Sequence, residues 1–324
     1  MRRPPSPAGR RRPGRRRVQL GSVDLMLIAT ILIWALNVTV TKYVLTHGFR
    51  PLAYGSIRYA AAAVLAAAVA FALEGSLAVG GRRSLALIAA ASLVLLGNQF
   101  SFVYALKLGS ATTVALIMGT TPIFAAIVSS LLGLERLGAR FWVATAIGFG
   151  GVALVALGSG GGLSANLGGD VLAIALSVTW AVYSVTIAPL MRRYSPYRIS
   201  AVVLLVMCVP FVAASSPQLA AQDYGSPSGL VWLCLAFAIV GPLALTNVLW
   251  FTAIDRVGPS RATLFANVQP FVAAVLAALI LSEHLDWLQI VGGVAILAGI
   301  VLERRWHEAV GARAGEEVGA KIAA

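Results

Sequence analysis

The side chains able to do chemistry in this 324-residue chain sit mostly inside long apolar runs. Thr30, Trp34, Asn37 and Thr41 recur at i, i+4, i+7 and i+11, a spacing that puts all four on one face of a helix. Asn98, Gln99, Asn247, Asn267 and Gln269 fall at comparable depth in other runs, with Trp180 and Tyr183 in another. Thr120 and Thr121 precede Pro122 as Gln269 precedes Pro270. Amides and hydroxyls hydrogen-bond, and indoles and phenols stack. The chemistry they support is recognition of a small polar solute, not the making or breaking of bonds. The competing role for each is adhesion between helices, where such a bond contributes about 0.6 kcal/mol on average. Convergence of several at one depth points to a cavity with aromatic walls.

Charged side chains narrow the chemistry further. Arg58 lies seven residues past Pro51, roughly 10 Å along a helix at 1.5 Å per residue. It either holds an anionic group such as a carboxylate or snorkels to the outer interface. Lys42 and Lys107 read as interfacial anchors. All 12 Asp and Glu, and His47, His284 and His307, map to tails, loops or helix ends. Proton-driven exchange normally relays through an intramembrane carboxylate or His, so movement down an electrochemical gradient is the expected mode. Cys208 and Cys234 lie in apolar runs and form neither a disulfide framework nor a metal site. With no nucleophile elbow and no phosphate-binding Gly loop, no enzyme activity, cofactor or metal is expected.

These residues need elements that hold them in a bilayer. Apolar side chains make up 59% of the chain before its 32 Gly, and charged ones 11%. Soluble domains run near 45–50% and about 25% on comparable counts, so a water-facing surface cannot be built from this mixture. A helix needs about 20 apolar residues to cross the hydrocarbon core. Ten such runs are present, near 25–45, 51–73, 85–107, 110–132, 140–158, 170–190, 197–214, 229–254, 261–281 and 286–303. The expected fold is an all-α integral membrane protein of ten transmembrane helices.

The net charge of +13 is an orientation signal and not a nucleic-acid footprint. Eight Arg crowd the first 17 residues with Pro and Gly but no interleaved aromatics. Residues 1–22 read as a disordered basic cytoplasmic tail touching anionic lipid, and 304–324 as a second cytoplasmic tail. The 21-residue run from Leu25 to Leu45 is too long for a signal-peptide core. With the N-terminus inside, every Lys and Arg but Lys42, Arg50, Arg58 and Lys107 falls on the inner side. Both termini are therefore expected in the cytoplasm. Arg outnumbers Lys 22 to 3, which suggests a GC-rich bacterial genome and hence the inner membrane.

The chain resembles itself at a shift of about 148. Tyr104-Ala105-Leu106, Pro122 and Leu134-Glu135-Arg136-Leu137 have counterparts in Thr252-Ala253-Ile254, Pro270 and Ser282-Glu283-His284-Leu285. Trp34-Ala35 pairs with Trp180-Ala181 at a shift of 146. Five helices per copy is an odd number, so the second copy enters from the opposite face, giving repeats over 24–158 and 170–303. Inverted repeats around a midplane site are a transporter architecture. Pro122 and Pro270 are expected to free a mid-helix carbonyl and allow a bend. Gly148, Gly151, Gly292 and Gly299 favour close packing of helices 5 and 10, with a homodimer left open.

The stretches YALKLGSATTVALIMGTTPIFAAIVSSLLGLERL and TAIDRVGPSRATLFANVQPFVAAVLAALILSEHL resemble the tandem EamA repeats of the drug/metabolite transporter superfamily. The resemblance covers about 24–303. It implies helices 1–4 and 6–9 around a central cavity, with helices 5 and 10 peripheral. The carboxylates matching the superfamily's Glu are Glu135 and Glu283, while His284 and Thr252 depart from its usual Arg and aromatic. No carboxylate lies inside helix 1, where the multidrug branch carries one. The expected function is export of small polar metabolites such as amino acids by alternating access. A nucleotide-sugar or sugar-phosphate carrier and proton-coupled drug efflux are the alternatives. The first would want several deep basic residues, and only Arg58 qualifies.

Overall fold

A computed structural model describes residues 22–133, 138–158, 167–257, 266 and 268–302. Among them every regular element is helical. They are α1 (Ser22–Thr46), α2 (Pro51–Glu74), α3 (Arg82–Leu108), α4 (Ala111–Met118), α5 (Thr121–Leu131) and α6 (Ala139–Leu157) in the first half. The second half holds α7 (Leu167–Met191), α8 (Pro196–Ala220), α9 (Gly229–Val240), α10 (Thr246–Val257), α11 (Gln269–Leu281) and α12 (Trp287–Leu302). Six segments of 21–27 residues, one of them α4 and α5 taken together, are long and apolar enough to cross a membrane. Four further apolar helices have 10–17 residues each. The two tails, Glu135 and Asn267 lie outside the described residues.

Local sequence sets the helix ends. α2 starts with Pro51 in its first turn, where the missing N–H would have no partner anyway, and stops at Gly75 in the left-handed region. The Ser110 hydroxyl caps α4 by accepting the Thr113 N–H at 3.0 Å, and Ser195 caps α8 from Arg198 at 3.2 Å. Regular helix is interrupted just before Pro122. The helix breaks at Gly119–Thr120 and restarts at Thr121. The Thr120 hydroxyl donates to the Ile117 carbonyl at 2.7 Å and the Thr121 hydroxyl to that of Met118 at 2.7 Å. Backbone groups freed at membrane depth are thus satisfied by neighbouring Thr side chains.

The predicted single helix over 229–254 is divided. A π turn at Gly241–Leu245 separates α9 from α10, because Pro242 has no N–H to continue the α pattern. α8 runs past the predicted end at 214 to Ala220 and carries Pro210 and Pro217 inside it.

Packing turns an ordinary soluble protein inside out. Leu93, Val209 and Leu279 are exposed, the last by 73%, while Thr30, Asn37, Arg58, Asn98 and Gln99 are buried. Apolar groups face outward because lipid, not water, is the solvent there. The two halves pack crosswise. α3 lies along α7 and α8, α2 along α8, and α4 against α7 and α11. α1 lies against α9, α10 and α11. The third helix of each half thus flanks the first helix of the other.

Glycines let α6 and α12 touch backbone to backbone. A Cβ on Gly151 would stand 2.6 Å from the Gly292 carbonyl oxygen, and one on Gly292 2.5 Å from that of Gly151. Gly299 approaches the Ala144 carbonyl in the same way. The small-residue stripe is spent on contact within one chain.

Candidate functional site

Two equivalent junctions form where the halves cross. In the first, the Trp34 indole on α1 donates to the Thr246 hydroxyl at 2.9 Å and lies 3.4 Å from the Pro242 carbonyl. Thr246 in turn donates to Pro242 at 2.7 Å, so this carbonyl of the π turn meets two side chains. The Trp34 and Trp250 rings are 5.2 Å apart. In the second junction, the Asn98 amide on α3 donates to the Leu176 carbonyl at 2.9 Å and the Thr179 hydroxyl at 3.1 Å on α7. The internal shift of 148 maps Asn98 onto Thr246. The same position in each copy therefore binds the first helix of the other.

Several expected site residues are satisfied by protein partners. The Gln99 amide donates to Asn98 Oδ1 at 2.9 Å within α3, and Asn98 carries the bonds to α7. The Thr121 hydroxyl serves the backbone. Trp180 stays exposed and its ring leans on Tyr183 at 5.5 Å. Gln269 is half-buried at the start of α11, beside buried Pro270. Asn247 lies in α10, its side chain outside what the structure describes.

Asn37 and Arg58 differ, for both are buried with polar atoms unmatched. Asn37 Oδ1 and Arg58 Nε have no hydrogen-bond partner. Arg58 is 3% exposed, which removes the snorkelling reading. Its Nη1 reaches only the Tyr54 hydroxyl, at 3.4 Å, and that hydroxyl pairs with Thr41 at 2.9 Å. The rings of Tyr59, Phe102 and Tyr54 lie 5.1, 5.5 and 5.7 Å from the guanidinium carbon. Burying an ion costs several kcal/mol, and each such ring returns about 0.5–2 kcal/mol. The rings offset much of the burial, yet a guanidinium has five N–H donors, and this one faces only the hydroxyls of Tyr54 and Tyr59 among the described residues, with Nε left without a partner. Tyr54 was readable from its i, i+4 spacing to Arg58. Trp250 and Phe102 share the 148 shift. No signal in the sequence marked the Arg58 box as a unit.

Lys42 and Lys107 are not loose interfacial anchors. Lys42 Nζ donates to the Leu106 and Gly109 carbonyls at 2.8 and 2.7 Å, closing the C-terminal end of α3. Lys107 does the reciprocal for α1 through Leu45 at 3.2 Å. Cations belong at helix C-termini, where unpaired carbonyls gather. Glu283 takes the opposite end of the same turn, accepting the N–H groups of Ala111 and Thr112. Among the described residues no cluster of three or more His, Cys, Asp or Glu is placed to hold a metal.

Apolar outer walls, buried polar groups and two halves locked crosswise describe a membrane protein that passes a solute. The chain belongs to the EamA-like transporter family, which matches residues 21–157 and again 167–303. It is 28% identical to the uncharacterised inner membrane transporter YedA of Escherichia coli K12 over 85% of this chain and 89% of that one. It is 24% identical to a probable amino-acid metabolite efflux pump of the same organism, over 88% and 97%. A match to the transporter YetK of Bacillus subtilis, at 24%, spans only 61% of each chain. A crystal structure at 19% identity shares the fold, with a TM-score of 0.59 over 88% of this chain and 97% of that one. The chain is accordingly a multi-pass membrane transporter.

Proposed function

We propose that the chain exports small polar metabolites, amino acids among them, by alternating access between two inverted five-helix repeats. The observation that carries this is the pair of equivalent junctions, Trp34 with Thr246 and Asn98 with Thr179. Each joins the first helix of one half to the third helix of the other, so tilting one half necessarily moves the other's wall. In this reading the four shorter apolar helices complete ten spans in a bacterial inner membrane. Both termini are cytoplasmic, and the basic tail lies on anionic lipid. The repeats are 24–158 and 170–303, with Glu135 and Glu283 as their matching carboxylates. Solute is met by Trp34, Asn37, Arg58, Trp180, Tyr183, Asn247, Asn267 and Gln269, with Asn98, Gln99 and Thr121 shaping the walls. The name of the amino-acid efflux relative supports the cargo class.

The test is uptake of labelled amino acids, sugars and nucleotide derivatives by proteoliposomes, with and without a pH gradient. Saturable amino-acid uptake indifferent to the gradient is expected. Selective uptake of nucleotide sugars, or uptake that needs the gradient, would replace this reading.

A further inference from the structure

The geometry points to Arg58 as the anchor for a carboxylate on the cargo. The inference rests on the exporter reading and narrows it from polar metabolites to carboxylate-bearing ones. Arg58 is buried on α2, and among the described residues its charge faces no acidic partner. The one ion pair among the described residues joins Arg198 to Glu74. A guanidinium's paired N–H groups match the two oxygens of a carboxylate. Here Nε is wholly unpartnered, and Nη1 makes one contact of 3.4 Å. Nε, one of the donors that a carboxylate binds side-on, is therefore unclaimed.

The surroundings preorganise that edge. Rings of Tyr54, Tyr59 and Phe102 stand 5.1–5.7 Å from the guanidinium carbon and restrict its swing. The Tyr54 oxygen that receives Arg58 also shares a hydrogen bond with the Thr41 hydroxyl, 2.9 Å away. Thr41 fixes the box to α1, the helix that carries Trp34. One helical turn along that face lies Asn37, whose buried Oδ1 lacks a donor. An unfilled guanidinium donor and an unfilled acceptor complement a solute with an acid at one end and an N–H or ammonium beside it. A neutral amine, sugar or apolar drug leaves Arg58 unanswered.

The experiment uses the purified full-length chain in detergent and in proteoliposomes. Each neutral amino acid of a panel is set against its own carboxamide, with binding read by thermal shift and competition. At least one acid is expected to bind about 10- to 100-fold more tightly than its amide, the range for hydrogen bonds to a charged group. Arg58→Gln should bring the acid down to the level of the amide, and Arg58→Lys should restore part of the difference. Equal binding of acid and amide overturns the assignment, as does an acid preference that survives in R58Q or a panel in which no acid binds. Should R58Q fail to fold, R58K decides: its acid-over-amide ratio is expected to fall below that of the unmodified chain, and an unchanged ratio overturns the assignment. Flux without acid preference removes the Arg58 anchor and leaves the exporter. Acid-selective binding without flux removes the exporter and leaves the anchor.

Discussion

Glu283 accepts the backbone N–H of Thr112 at 2.8 Å, across 171 positions of sequence. Its second carboxylate oxygen takes Ala111 N–H at 2.9 Å. Both donors belong to the first turn of α4, where helix N–H groups lack internal partners and the dipole favours negative charge. The carboxylate thus ties the loop after α11 to the start of α4. Removing it leaves two buried N–H groups unsatisfied, at about 1–3 kcal/mol. Glu283→Ala is expected to lower the melting temperature in detergent, and Glu283→Gln to lower it by less because one carbonyl oxygen remains. A melt of E283A that overlays the wild type would show that the cap contributes nothing to stability.

The contact of α6 with α12 has no room for side chains. A Cβ at Gly151 or Gly292 meets the opposing carbonyl at 2.5–2.6 Å, so the helices must part to admit it. Overpacking of this kind costs about 1–3 kcal/mol. Gly151→Leu and Gly292→Leu should both cut the yield of monodisperse protein. Gly150→Ala, at a position with nothing within 4 Å, is the control and should behave as wild type. Size-exclusion profiles of the three variants check the expectation.

Helices and spans are legible in this chain because hydropathy is a local property, and the lipid solvent makes it nearly uniform along each run. Helix ends are harder. Ser215-Ser216-Pro217 reads as a stop, yet α8 continues through it to Ala220. Gly241-Pro242 reads as the interior of one run and instead forms a π turn whose carbonyl depends on Trp34, more than 200 positions away. The polar face of α1 was legible from its period, whereas the pairing of Trp34 with Trp180 did not point to the second junction, where Thr179 and not Trp180 meets Asn98. The roles of Lys42 and Glu283 were not, because capping depends on which helix ends meet. Spacing along one helix does not encode that relation. For the same reason Asn98 and Asn37 look alike in sequence, while only the first finds partners.

At the far end of α2 from the Arg58 box, Glu74 binds α8. Arg198 Nη2 lies 2.8 Å and Nε 2.9 Å from Glu74 Oε2, and the Ser195 hydroxyl donates to the other oxygen. Both side chains are about a fifth exposed, so water screens the pair in part. Glu74→Ala and Arg198→Ala should each cost about 1 kcal/mol. The double variant should cost little more than either single one, since both act through one contact. Melting temperatures of the four proteins measure this coupling. Full additivity would mean that the pair contributes no interaction of its own.

The role of Trp34 can be separated from its packing by graded substitution. Trp34→Phe keeps an aromatic ring against Trp250 but loses the bond to Thr246, and Thr246→Val loses the same bond from the other side. A membrane hydrogen bond of this kind contributes about 0.6 kcal/mol, so both variants should remain folded with modest loss of stability. Trp34→Ala removes the ring as well, and Asn37→Ala removes the unpartnered Oδ1. If these groups meet the cargo, both alanine variants lower proteoliposome uptake several-fold at unchanged protein content. Asn37→Ala should do so with no loss of thermal stability, because its acceptor holds nothing in the resting protein. Wild-type flux in both alanine variants would remove the α1 face from the transport path. A flux loss that merely tracks a falling melting temperature would reduce Trp34 to a structural pin between the two halves.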